Sequence, residues 1–514
     1  MAKPKILFMS PFATRMHGGV GAVTELLFKE LNQQGRVEAA VATFFPYKQN
    51  GTLVNRSVHL YAPSTQRPET MPKRTFPSID SFLQSVPPGA YDVVHFHGIY
   101  FGEPYGGMDA IERRFAGVPK VTTTHFVLMD PKQQHNPHDT RFRVYDASDA
   151  LVCFSVFGRE SVINGRKDLR EKTILIPNGV ELPLEHGTRD TLRRTTAPGA
   201  PPISPDDLVL LYVGRIAERK GLERIAEAFP AIHQHARTAL RKRARLVIVG
   251  DGNPNIKNYM ATRLGAVAGD VYFAGRIMDP VKLGEWYRRA DLVLVPSDYE
   301  SFSLSAADAM IRGIPVAITA NSAPKELFVD PGLAWGMQPT TRSLTDTVVQ
   351  VMGKLDGREA GTMCRRAQTT AATEYSIKTV AGKTAELYER LTKGNGYEAA
   401  VRLMRYGRNT EALAAFQRLP KDTVREQRLV GTYMFGCQRA VKGDVTGAIT
   451  AFNQVVVADP QHIRAHYEMA QLLARQRNYA GARHAVATVL RIDPSYEPAR
   501  ALSKTIGAGI GSVR

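Results

Sequence analysis

The sequence predicts an α/β chain of about three domains, two built on parallel sheets and followed by an all-α segment. Three observations carry this. Short apolar runs such as Leu292-Val293-Leu294-Val295 stop at Pro, Gly or Asn and give way to segments of helical spacing, the pattern of buried parallel strands joined by crossover helices. Two strand-to-helix passages, Gly18-Gly19-Val20-Gly21 and Gly214 to Gly221, are bounded by glycine, which lets backbone amides approach a phosphate. After residue 395 the pattern changes to a helical repeat of 34 residues. With 514 residues, 43% of them hydrophobic and 23% charged, the chain can bury several cores and lacks the composition of a disordered one.

In the first half, Lys5 to Ser10 reads as a buried strand, and Val23, Leu26, Leu27 and Leu31 keep helical spacing after the glycine turn. Gly18 and Gly19 are phosphate-loop candidates; close packing is the other reading. Arg36 to Phe45 gives a second strand. Residues 46–88 are polar and proline-rich, with one short helix near Ile79 to Leu83. Tyr91 to Gly98 is the next strand, and alternation puts His95 and His97 on one face, as satisfied edge histidines, with His97, at the strand end, the better cleft candidate. Val118 to His125 is a further strand ending in histidine. Asp149 to Ser155 and Lys172 to Ile176 follow, the latter stopped by Pro177-Asn178-Gly179, a turn signal. The first domain spans 1–182 and an exposed, proline-rich connection 183–206.

The second domain, 207–374, opens with the strand Leu208 to Val213. Arg215 and Lys220 lie on the loop that starts the helix at Leu222. Two cations so placed can converge on a diphosphate and neutralise charge appearing on it; two surface cations on a loop is the plain alternative. Arg245 to Val249 and Val271 to Arg276 are strands, and Asp279 to Ala290 a helix. The stretch Pro296 to Val316 then follows an apolar strand with a loop and a helix capped by Ser303 or Ser305, closed by Gly313 and Pro315. Such loops lie at the carboxyl edge of a parallel sheet, where open α/β folds bind ligands. Glu300 and Asp308 flank this helix start. A carboxylate there suits a sugar or ribose hydroxyl, the free amides suit a phosphate, and the pair also fits solvated acids favoured at a helix start.

This stretch resembles the signature of retaining glycosyltransferases of family 4, Pro-Ser, two variable residues, Glu-Gly-Phe-Gly-Leu, three variable residues, Glu-Ala-Met. Glu300, Phe302, Leu304, Ala309 and Met310 match in register. Ser301 and Ser303 stand where that family has glycine, and Asp308 where it has glutamate. The resemblance covers residues 1–392 and implies two facing Rossmann-like domains, the GT-B fold, with a crossover helix at 375–392 returning to the first. It implies that Glu300 orients donor-sugar hydroxyls, that Asp308 holds the ribose, and that Ser301, Phe302, Ser303 and Leu304 line the donor. Gly18 and Gly19 then face the diphosphate, Arg215 and Lys220 stabilise it as it leaves, and Arg276 and Ile277 contact the base. His125 contacts the transferring sugar and, with Glu300, makes up the catalytic pair; attack comes from the departing side. The donor is a nucleoside-diphosphate sugar, with family frequency favouring a UDP-hexose. No Asp-x-Asp motif stands in a suitable place, so the reaction is expected to need neither metal nor other cofactor.

In the tail, Ala448, Phe452 and Pro460 recur as Ala482, Val486 and Pro494. That is a tetratricopeptide pattern of paired antiparallel helices, spanning 397–506, with Ala412 and Phe416 marking an earlier unit and Tyr496 to Lys504 a capping helix. It offers a face to a protein partner, or it buttresses the enzyme. Formal net charge is +18, and residues 395–514 hold 17 Lys and Arg against 9 Asp and Glu. The excess suits an acidic partner or peripheral contact with an anionic membrane; no nucleic-acid motif accompanies it. No apolar run approaches the roughly 18 residues of a membrane span, no signal peptide is read at the start, and the three cysteines show no disulfide or metal spacing. A cytoplasmic location, with the inner membrane face as a working surface, follows.

The expected function is retaining transfer of a hexosyl group to an acceptor hydroxyl of a glycan, a lipid-linked glycan or a protein, in synthesis of cell-surface glycans or glycoconjugates. A nucleotide-sugar epimerase of the same fold and a non-catalytic scaffold binding proteins through its repeats are the rivals.

Overall fold

The computed structural model describes residues 3–11, 18–44, 48–49, 52–53, 57–66, 68, 71–87, 89–98, 108–125, 143–163, 167–184, 203–393, 425–493 and 496–508. It divides into two compact units, Met1–Ile111 with Lys120–Glu389, and Glu112–Pro119 with Arg390–Arg514.

The first unit holds two large sheets. In one, the strands are ordered Thr173–Leu175, Ala150–Cys153, Lys120–Thr123, Val93–His97, Lys5–Ser10, Glu38–Phe44, Val58–Tyr61, Arg74–Phe76. The first six run parallel and the last two pair antiparallel. The other is wholly parallel, in the order Val271–Gly275, Ala244–Val249, Leu208–Val213, Leu292–Val295, Val316–Thr319, Trp335–Met337. Both faces of these sheets are covered, so Leu292–Val295 and Ala244–Val249 are buried along their whole length. Their sequences are therefore continuous apolar runs, without alternation.

In each sheet the strand order reverses beside the first strand in sequence. From Leu208–Val213 the chain builds outward through Ala244 and Val271 on one side, then resumes at Leu292 on the other. Loops leaving these two neighbours diverge and open a crevice at the carboxyl edge. The loop with Arg215 follows one neighbour and the loop with Glu300 follows the other.

Three kinds of contact tie the two sheets together. Val180 donates its amide to Tyr375 O at 2.8 Å and accepts that of Ile377 at 2.8 Å. The helix Ile377–Lys393 then returns to the first sheet, where the Gln34 amide donates to Lys378 O and the Arg36 guanidinium meets Glu389 at 2.9 Å. Phe302 packs edge-on against Phe154, Phe328 and Tyr375, with centroids 6.4, 5.6 and 5.4 Å apart. Finally, the Glu326 carboxylate accepts the amides of Val156 and Phe157, both at 2.8 Å. Those are unpaired donors at the start of the helix Val156–Ile163, so a residue of the short helix Lys325–Val329, beside the second sheet, caps a helix beside the first.

In the second unit, Arg425–Val441 pairs with Val445–Ala458 and Ile463–Arg475 with Tyr479–Ile492, and Glu497–Ala508 follows. Asp444 and Asn478, 34 residues apart, each cap a helix by accepting an amide three residues on, Gly447 at 2.9 Å and Gly481 at 3.0 Å. Ala448, Phe452, Ala482 and Val486 are buried. A Cβ on Gly436 would come 2.6 Å from the Phe452 ring, so only glycine allows the helices to approach there. Ala412, Phe416 and Pro494 lie outside the described residues. Among the described residues no helix is long and apolar enough to cross a membrane.

Glu326→Ala should lower the stability of the first unit by about 1–2 kcal/mol, the usual effect of losing a helix cap. Urea unfolding followed by tryptophan fluorescence measures this, and an unchanged midpoint would show that Glu326 caps nothing in solution.

Candidate functional site

The loop after Leu208–Val213 is set by close backbone contacts. Gly214 donates to Val249 O at 3.0 Å, Ile216 to Asp251 O at 2.9 Å, and Gly250 to Gly275 O at 2.8 Å. Gly250, at φ +150°, could not carry a side chain, because a Cβ would fall 1.8 Å from Gly214 O. Tyr212 donates its hydroxyl to Arg215 O at 2.8 Å. Three strand ends are thereby laced into one rim, from which Arg215 projects.

Arg215 reaches the first sheet. A Cβ on Gly18, itself at φ +95°, would lie 3.9 Å from Cδ and Nε of Arg215. Between the two carboxyl edges lies a cavity of about 370 Å³, within the size range of small-ligand sites. Gly18, Arg215, Arg276, Ile277, Leu304 and Asp308 all line it. Six residues chosen from the sequence thus come together around one space.

The others are placed differently. Glu300 accepts from Lys220 Nζ at 2.6 Å and from Ser297 Oγ at 2.7 Å, and its amide donates to Ser322 Oγ at 3.0 Å. Lys220 is thus paired with Glu300. Phe302 turns its ring into the core, 1% exposed, so only its main chain remains for a ligand. Gly19 opens the helix Gly19–Gln34.

Ser301 keeps an ordinary backbone, whereas Ser303 sits at φ 89°. Of the two serines that replace glycine, only the second holds a conformation that glycine adopts freely. Ser303 offsets part of that cost as the helix cap, accepting the Ala306 amide at 3.4 Å.

Arg312 and Tyr287 are among the lining residues that were not anticipated. Arg312, one turn beyond Asp308, donates from Nη1 to Asp308 O at 2.9 Å and lies 3.3 Å from its Oδ1. Its guanidinium lies over the Tyr287 ring at 5.3 Å. Tyr287 is buried, and burial followed by the Asp308 charge raises its hydroxyl well above the ordinary tyrosine value. The four-residue spacing of Asp308 and Arg312 was the signal for that pair; nothing in the sequence pointed to Tyr287.

The histidines form a separate cluster. His95 and His97 are not edge residues: their strand is central, flanked by Lys5–Ser10 and Lys120–Thr123, and both are buried, His95 against Tyr388 of the returning helix. His95 bonds Tyr388 Oη at 2.5 Å through Nδ1 and Thr123 Oγ1 at 2.7 Å through Nε2. His125 follows the neighbouring strand, with Nε2 3.2 Å from His97 Nδ1 and its ring 5.4 Å from that of Phe154. Burial holds it neutral, its pKa down at about 3.

Ser303→Ala should be less stable than Ser303→Gly by roughly 1 kcal/mol, since alanine keeps the unfavourable φ and loses the cap. Equal urea midpoints for the two variants would contradict the backbone assignment.

A model described as glycosyl transferases group 1 matches residues 207–353, a glycosyltransferase family 4 model residues 17–183, and a tetratricopeptide repeat model residues 433–497. A D-inositol 3-phosphate glycosyltransferase of Xylanimonas cellulosilytica is 31% identical over 265 residues, covering 47% of this chain and 58% of that protein. The chain thus spans rather more than half the length of this curated relative. Sucrose-phosphate synthase of Thermosynechococcus elongatus superposes with a TM-score of 0.55 at 20% identity, covering 76% of this chain and 100% of that one. The Anabaena HepE protein, solved in complex with UDP and glucose, gives 0.52 at 18% identity over 75% and 99%. At these identities the two structures speak for the fold. The chain belongs to the glycosyltransferase group 1 and family 4 proteins of the GT-B fold, with tetratricopeptide repeats in its C-terminal part.

Proposed function

We propose that the protein is a retaining glycosyltransferase that moves a hexosyl group from a nucleoside-diphosphate sugar to an acceptor hydroxyl, in the making of cell-surface glycans or glycoconjugates. The observation that carries this reading is the cavity at the carboxyl edges of both sheets, where Arg215 meets the Gly18 loop. A diphosphate placed there has a guanidinium beside it and a backbone without side chains opposite. As the sugar–phosphate bond lengthens, charge gathers on the leaving diphosphate, and a fixed cation lowers the barrier by stabilising it more in the transition state than before. Arg215 thereby does what a metal ion does in other transferases, and no metal is invoked.

Glu300 faces the sugar in this reading. The bonds from Lys220 and Ser297 to its Oε1 fix the carboxylate, leaving Oε2 to accept from donor hydroxyls. Lys220 so becomes the residue that orients Glu300. Asp308 takes the ribose hydroxyls and Arg276 with Ile277 the base; a relative's UDP complex favours uracil, and the first donor to try is a UDP-hexose. His125, neutral at working pH, hydrogen-bonds the transferring sugar. The curated relative's name makes an inositol phosphate one acceptor worth testing, beside glycan, lipid-linked and protein acceptors; the repeats would bring in a protein partner, and the basic surface suits work against an anionic cytoplasmic membrane face.

Diphosphate release from UDP-, GDP- and ADP-hexoses, with each acceptor class added in turn, tests the proposal. One donor should turn over, in buffer containing EDTA, with retention at the anomeric carbon. Arg215→Ala and Glu300→Gln should each lower kcat about 100-fold or more. Variants as active as the wild type, an epimerised donor, or inversion would overturn it.

A further inference from the structure

His97 has an unusual position for a residue without an assigned task. Phe8 pairs with His95 in register, and His97 with Thr123, so in these parallel strands the four side chains share one face of the sheet, with His125 just beyond. The His97 ring is fully buried, 5.0 Å from the Phe8 ring and 5.4 Å from that of His125. Its Nδ1 is 3.2 Å from His125 Nε2, while its own Nε2 is buried and has no hydrogen-bond partner among the described residues.

A neutral imidazole carries one N–H and one lone pair. Burial disfavours the charged form of both rings, holding His97 well below the ordinary histidine value, so one proton lies between Nδ1 of His97 and Nε2 of His125. If His125 supplied it, His97 would carry its own proton on Nε2, a buried donor with no acceptor. Such orphaned donors are rare because they forfeit hydration with nothing in exchange. If His97 supplies it, Nε2 keeps only a lone pair and no buried N–H is orphaned. His125 then accepts at Nε2 and must hold its proton on Nδ1.

We infer that His97 is a positioning residue, which donates Nδ1–H to His125 Nε2 and so fixes His125 as the neutral Nδ1–H tautomer. Toward the transferring sugar His125 is then a hydrogen-bond donor and not a base. The kinetic part of this statement rests on the function proposed above, while the tautomer stands on the geometry alone. It also accounts for two histidines on one strand with different tasks: His95, bonded at both nitrogens, ties the sheet to the returning helix, and His97 orients the ring next door.

Two measurements test it on the full chain. In nitrogen-15 spectra of histidine-labelled protein at pH 7.5, the resonances lost in His125→Asn identify His125, which should be the Nδ1–H tautomer in the wild type and shift towards Nε2–H in His97→Leu. In donor turnover, His97→Leu should lower kcat about tenfold or more with donor KM within about twofold. His97→Asn, whose amide N–H stands near the Nδ1 position, should recover most of the loss, and His97→Leu should cost nothing further in a His125→Ala background. An Nε2–H tautomer in the wild type, or losses that multiply in the double variant, would overturn the inference. Full turnover by His125→Ala would instead sink the role given to His125 in the reaction, a result the spectrum does not depend on.

Discussion

Two backbone hydrogen bonds, Val180 to Tyr375 and Ile377 to Val180, each 2.8 Å, hold the chain where it passes between the two sheets. Everything at the site depends on this crossing. It sends the helix Ile377–Lys393 back over the first sheet, where Tyr388 meets His95, and brings the two carboxyl edges to opposite walls of one cavity. A Cβ on Gly179 would come within 2.8 Å of the Ile377 Cα, so the crossing itself demands a residue without a side chain. The aromatic cluster around Phe302 and the Glu326 cap add contacts that only this mutual placement allows.

The site is a compromise between backbone economy and charge. A family glycine has become Ser303, which retains the left-handed backbone and adds a cap. A family glutamate has become Asp308, one methylene shorter, with Arg312 buried behind it. A shorter acid reaches less far, but the guanidinium holds it in one place. Lys220 and Glu300 make a similar pair at the other end of the loop, half-buried and fixed by Ser297. Both acids of the pattern are thus restrained before any donor arrives, which is how a site avoids reorganising during reaction.

Much of this was legible in the sequence, for identifiable reasons. Strands buried on both faces leave continuous apolar runs, and Leu208–Val213, Ala244–Val249 and Leu292–Val295 stand where those runs do. Glycine at a rim is legible because the backbone requires it, as at Gly18. The 34-residue spacing showed two repeat units because each must bury the same face against its neighbour. What escaped was side-chain partnership across long separations. The bond between Lys220 and Glu300 links residues 80 apart. His95 and His97 were read as edge residues because nothing local announces that their strand is central or that a helix almost 300 residues later will meet His95. Phe302 matched a motif whose ring packs inward, and a motif does not tell a packing residue from a binding one.

The central claim is that the cavity between the two carboxyl edges binds a nucleoside diphosphate through Arg215. Isothermal titration of UDP, GDP and ADP into the wild type, Arg215→Ala and Asp308→Ala tests it without needing an acceptor. One nucleotide should bind with one-to-one stoichiometry, and each variant should weaken it by about tenfold or more, the loss expected for a charge-assisted contact worth about 1.5–3 kcal/mol. No binding by any nucleotide, or equal affinity in all three proteins, would contradict it.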